Sequence, residues 1–102
     1  MNYSFHPAAE AEHLEQVAWY EKRQAALGGR YHEHFLRSMK RVCEAPDRHP
    51  IELPPNIRRM RLALFPLTVI FRERRGAIEV LAVAHYRRRP QYWLGRAAPR
   101  DR

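Results

Sequence analysis

Apolar and polar positions change period twice along the 102 residues. From Asn2 to His6 they alternate, Tyr3 and Phe5 on one side and Ser4 on the other. This predicts a short strand at the sheet's edge or beside the last strand. From Pro7 the period becomes helical. Proline suits a first helical turn because its missing N–H would have had no partner there. Glu10 and Glu12 near that start complement the helix dipole. Ala11, Leu14, Ala18 and Ala25, flanked by Val17, Trp19 and Tyr20, make an apolar side, which predicts a first helix over about 7–27. Gly28-Gly29 then breaks the pattern as a helix C-terminus and turn would. A second helix is predicted from near Arg30 to Pro46, with Tyr31, Phe35, Met39 and Val42 as its apolar stripe. Two antiparallel helices with so short a connection form a helical hairpin.

Asp47–Asn56 contains Pro50, Pro54 and Pro55 and reads as a loop. Beyond it the period returns to two. Met60, Leu62 and Leu64 share one face of a strand, with Arg59 and Arg61 on the other. After a tight link at Phe65-Pro66, Leu67–Arg72 is apolar on both sides and β-branched, as a central strand should be. Glu73–Gly76 reads as a hairpin turn. Ile78–Ala84 follows as the final strand, with Ile78, Val80, Ala82 and Ala84 on one side. A basic and aromatic tail interrupted by Pro90 closes the chain. The predicted order is β-α-α-β-β-β, an α+β layer arrangement with a largely antiparallel sheet and the helical hairpin on one face. The other face, carrying Arg59 and Arg61, is expected to stay exposed and positive. No repeat or boundary divides the chain, so residues 1–102 are read as one domain.

Charge sharpens this picture. Residues 1–50 carry seven Lys/Arg and seven Asp/Glu, so the net +8 lies wholly in residues 51–102, which hold twelve Arg, no Lys and four acidic residues. Such asymmetry points to a polyanionic partner, either nucleic acid or an acidic protein segment, against the alternative of a solvated basic surface. The exclusive use of Arg favours a partner, because its planar fork matches phosphate and carboxylate. No apolar run reaches the roughly 20 residues of a membrane span, and no export signal is visible at the N-terminus. The single cysteine, Cys43, has no internal disulfide partner, so a cytoplasmic setting is expected.

Candidate chemistry concentrates at the end of the last strand, in His85-Tyr86-Arg87-Arg88-Arg89-Pro90-Gln91-Tyr92-Trp93. His85 suits general acid or base work near neutral pH, and the Arg groups suit a phosphate or a developing negative charge. Tyr92 and Trp93 serve equally as stacking platforms or as anchors of the tail on the core. Arg58, Arg59 and Arg61 form a second cluster, with Arg59 and Arg61 together and Arg58 opposite or at the strand's start. His32 and His34 are two apart on a helix and point in different directions, so no metal site is expected. Nothing in the sequence calls for a cofactor.

Taken together, FHPAAEAEHLEQVAWYEKR, the Gly28-Gly29 break before Phe35, IRRMRLALFPLTVIF and AVAHYRRRPQYW resemble the RelE/ParE family of type II toxin–antitoxin toxins. Within it they resemble the ParE-like plasmid-stabilisation branch. The resemblance covers nearly the whole chain and agrees with the predicted element order. It implies a small basic toxin held in a hetero-oligomer by a cognate antitoxin, whose acidic amphipathic segment covers the working surface. ParE-type members poison DNA gyrase without chemistry of their own. RelE-type members cut messenger RNA on the ribosome, with basic residues on the middle strands, an Arg near the start of the third strand, an Arg expected at the end of the last, and an Arg or His followed by Tyr there, which His85-Tyr86 match. Here the two Arg positions are Pro66 and Ala84, and both lysines, Lys22 and Lys40, lie on the helices. The resemblance therefore implies a gyrase-directed toxin whose Arg58, Arg59, Arg61, Arg87, Arg88, Tyr92 and Trp93 bind antitoxin or target. An endoribonuclease with His85 and Tyr86 as acid–base pair, Arg58, Arg59 and Arg87 on phosphate and Glu52 as a distant base is the first alternative. A non-toxic family member that only binds a partner or DNA is the second.

Overall fold

The computed structural model of the protein describes residues 1–97. Its elements are β1 (Tyr3–Phe5), α1 (Pro7–Arg23), α2 (Leu27–Glu44), β2 (Ile51–Leu53), β3 (Ile57–Arg61), β4 (Leu67–Arg74) and β5 (Ala77–His85). The five strands form one sheet in the order β1-β5-β4-β3-β2. β1 runs parallel to β5, and every other neighbouring pair is antiparallel. The helical hairpin covers one face, as the α+β reading predicts. β2 lies inside the expected loop and adds a strand to the predicted order. Its prolines flank it rather than interrupt it, and an edge strand needs only one set of backbone hydrogen bonds.

The helix-facing core is built from the predicted stripe of α2, with Tyr31, Phe35, Met39 and Val42 fully buried against Leu67, Val69, Phe71, Ile78 and Val80. α1 turns a different side inward from the expected one. Ala9, His13 and Tyr20 are buried, whereas Ala11, Ala18 and Ala25 are exposed and Leu14 is 58% exposed. The cause is aromatic: the His13 ring lies 4.2 Å from Phe35 and stacks on Phe5, and its Nδ1 is 2.9 Å from the Tyr31 hydroxyl. A side that counts as polar in a periodicity outweighs a row of alanines because it fills more volume.

The helix break also falls earlier than Gly28-Gly29. α1 ends at Arg23, and Ala26 takes a left-handed φ of 71° as the residue before α2. The carboxylate of Glu21 accepts the N–H groups of both Ala26 and Gly28 at 3.0 Å, capping α2 from the preceding helix. Gly28 sits at the helix crossing, where a Cβ would stand 2.5 Å from the Val17 carbonyl oxygen. It is there for close approach rather than for a turn.

Two further departures shape the other face. In the β4–β5 register Ile70 faces Ala82 and Phe71 faces Val80, so Leu81 is an inserted bulge residue. The bulge redirects the alternation: Ile78 and Val80 face the helices, whereas Leu81 and Ala82 face away, and the expected single row of Ile78, Val80, Ala82 and Ala84 is divided. Leu64, expected beside Met60 and Leu62, lies beyond β3 and is 72% exposed. The away-facing side is not bare. Trp93 from the tail, 2% exposed, closes a second apolar cluster with Ile57, Ile70, Leu81 and Ala82.

Candidate functional site

The basic groove lies on that second face, beside the Trp93 cluster. The sheet register sets Arg59, Ile70 and Ala82 in one row across β3, β4 and β5, and Arg61, Thr68 and Ala84 in the next. Thr68, Ile70 and Ala84 make the floor, Arg59 and Arg61 one wall, and the returning tail from His85 to Trp93 the other. The Pro66 carbonyl accepts the Tyr86 N–H at 3.1 Å and fixes where the tail leaves the sheet. The space enclosed is about 330 Å³.

Most side chains that define the groove are held in place. The Arg61 guanidinium lies 4.4 Å from the centre of the Tyr86 ring, and the Arg88 guanidinium 3.8 Å from that of Tyr92. Stacking of this kind orients the donors of an Arg toward a ligand while shielding its flat face. Arg59 donates to the Ile51 carbonyl at 3.1 Å and lies 3.4 Å from Glu52, a carboxylate that an incoming anion must compete with. Arg89 is exposed on the same rim. His85 Nδ1 accepts the Arg87 N–H at 3.1 Å, which places the proton of the neutral ring on Nε2. This set of donors suits phosphate or carboxylate groups.

The remaining predicted residues fall elsewhere. Arg58 points to the helix side of β3, where its Nη1 donates to the carbonyls of His49 at 2.6 Å and Asp47 at 3.4 Å. It ties down the loop and is not part of the Arg59–Arg61 wall. Arg87 is exposed at the tail turn but does not line the groove. Trp93 is the tail's anchor, too deeply buried to offer a stacking face. Tyr92 keeps its ring in the groove wall, but its hydroxyl donates to Glu12 at 2.7 Å. Burial, then that hydrogen bond, raises the phenol's pKa. Glu12, read from the sequence only as a helix-dipole carboxylate, and Arg96 are not singled out for the site by the sequence pattern, because they lie 84 positions apart. Two hydrogen bonds to the Glu12 carboxylate, at 2.9 and 3.0 Å, raise the pKa of Arg96.

Among the described residues no group of three or more His, Cys, Asp or Glu converges on a metal position, and no helix is long and apolar enough to cross a membrane. His34 is buried, while His32 is exposed and faces His13, with Nδ1 3.1 Å from His13 Nε2.

No family model and no curated protein matches the sequence. Among solved structures, a chain of the "Chromosomal ParDE TA system from P. aeruginosa" superposes with a TM-score of 0.72, covering 83% of this chain and 95% of that one at 17% identity. The fold is ParE-like. In this ParE-like fold, the groove between β3 and the tail brings together four arginines, Arg59, Arg61, Arg88 and Arg89, among the described residues.

Proposed function

We propose that the protein is the toxin of a type II toxin–antitoxin pair, ParE-like in action, inhibiting DNA gyrase and neutralised by an antitoxin whose acidic segment occupies the arginine groove. The observation that carries this reading is the convergence of Arg59, Arg61, Arg88 and Arg89 on one groove within a ParE-like fold. Guanidinium groups stacked on Tyr86 and Tyr92 lose little freedom when they meet carboxylates, so an acidic peptide binds there with a small ordering cost. The reading needs no bond made or broken by this chain, and no cofactor.

A second reading rests on His85 and Tyr86 lining the same groove. As an imidazolium, His85 is able to donate a proton to a leaving 5′ oxygen, while Arg61 and Arg88 hold the phosphate. Arg58 and Arg87 stand outside that constellation. In a third reading the chain is a non-toxic partner within a regulatory complex.

The test is induction of the chain alone and together with its neighbouring gene, followed by gyrase supercoiling and cell-free translation assays on the purified protein. Growth arrest relieved by the neighbour, with loss of supercoiling and intact transcripts, is the expected result. Cleaved transcripts that disappear on His85→Ala establish the endoribonuclease instead. Absence of arrest in either setting leaves the binding-only role.

A further inference from the structure

β1 pairs with β5 only as far as Val80, so beyond that point the outer edge of β5 has no strand beside it among the described residues. An open edge of this kind invites unwanted pairing unless it is covered. Here two side chains take the place of a strand. The Val83 N–H donates to Glu12 Oε1 at 2.9 Å, and the Leu81 carbonyl accepts from Arg96 Nη1 at 3.0 Å. Glu12, on α1, and Arg96, in the tail, are joined to each other by charge-assisted hydrogen bonds, so the edge is closed by a clasp linking the first helix to the tail.

The clasp reaches the groove through one more bond. Glu12 Oε2 accepts the Tyr92 hydroxyl, and Arg88 stacks on the ring of that phenol with its Nη1 3.9 Å from the same carboxylate oxygen. The Glu12 side chain is only 11% exposed, so its carboxylate is shielded from bulk water, while the Arg88 side chain is 52% exposed. We propose that Glu12 is the positioning residue of the arginine groove: by strapping residues 86–97 to the free edge of β5 it fixes Tyr92, and through Tyr92 it sets where Arg88 stands to meet an acidic peptide. The proposal rests on the reading of the groove as a peptide-binding site.

A simple sum of charges predicts the opposite effect. Glu12 is a negative charge beside Arg88, so removing it leaves the groove more positive and tightens the binding of an acidic ligand. Positioning predicts weaker binding instead. Glu12→Gln keeps the volume and one acceptor oxygen, and Glu12→Asp keeps the charge but is one methylene too short to hold Val83, Tyr92 and Arg96 together. Both are to be measured with a fluorescein-labelled glutamate-rich peptide, in a Trp19→Phe background so that Trp93 alone reports on the tail. We expect about tenfold weaker peptide binding in both variants. We also expect faster amide exchange at Val83 and greater acrylamide quenching of Trp93, with the helical circular dichroism unchanged. Tyr92→Phe retains the ring under Arg88 and shows a smaller loss. Unchanged or tighter binding in Glu12→Gln overturns the proposal, as does weaker binding with Val83 exchange and Trp93 quenching unaltered. If Glu12→Gln fails to fold, the comparison of Tyr92→Phe with wild type decides by the same two criteria. If the wild-type protein binds no acidic peptide, it is the groove reading that falls. The clasp is then judged on Val83 and Trp93 alone, and no change there overturns it.

Discussion

Burying His13 among Phe5, Tyr31 and Phe35 commits its ring to the neutral form. Burial first, then the neighbouring His32, lowers its pKa from 6.5 to about 4. The unfolded chain takes up that proton near 6.5 and the native state only near 4, so between those values the unfolded state binds more protons. Stability from this group is therefore complete above pH 6.5 and declines by about 2–3 kcal/mol as pH falls to 4. His34 and His49 are also lowered, chiefly by burial, and act in the same direction. The His13 share is isolated by urea unfolding at pH 7 and pH 4.5: His13→Gln is less stable at neutral pH, and its stability falls less steeply toward acid than the wild type's. The arginines also divide at this scale. Arg58 holds loop carbonyls and Arg61 faces the groove. Arg58→Ala is expected to cost about 1–2 kcal/mol of stability and to leave acidic-peptide binding nearly intact. Arg61→Ala should do the reverse, which paired thermal melts and binding titrations check.

At the scale of elements, the two adjacent glycines make opposite predictions. Gly28→Ala drives a methyl into the Val17 carbonyl across the helix crossing and should destabilise by about 1–3 kcal/mol. At Gly29 a Cβ meets nothing within 4 Å, so Gly29→Ala should stabilise by up to about 1 kcal/mol. Chemical denaturation of the two single variants is the check, and equal effects would restore the pair to the role of a turn. The contrast shows what local pattern can and cannot reveal. The α2 stripe, the central strand β4 and the presence of β5 are legible because each is decided by residues within a few positions of one another. The helix break is not legible locally because its cap, Glu21, belongs to the previous helix. β2 was hidden by prolines that bound it. The bulge at Leu81 was invisible because an inserted residue leaves no mark in an apolar run. For the site, the wall of Arg59 and Arg61 followed from alternation alone. The tail's return over the sheet did not, because Glu12 and Arg96 meet only after the whole fold has formed.

For the molecule as a whole, the net +8 is not spread evenly over the surface. Arg58 is spent on loop carbonyls, Arg72 on Glu79 at 2.9 Å and Arg96 on Glu12, so part of the surplus is structural. Among the described residues of the second face, Arg59, Arg61, Arg88 and Arg89 line the groove. Binding that depends on such a cluster weakens steeply with added salt, whereas a contact made by the exposed apolar residues of α1 does not. The central claim is that this groove is the working surface of a toxin. The most direct measurement is gyrase supercoiling titrated with the wild-type protein, with Arg61→Ala/Arg88→Ala, and with Arg30→Ala/Arg37→Ala on α2 as a charge-matched control. The account predicts inhibition by the wild type and the control, and its loss in the groove variant. Inhibition that survives in the groove variant, or that is absent throughout, contradicts it.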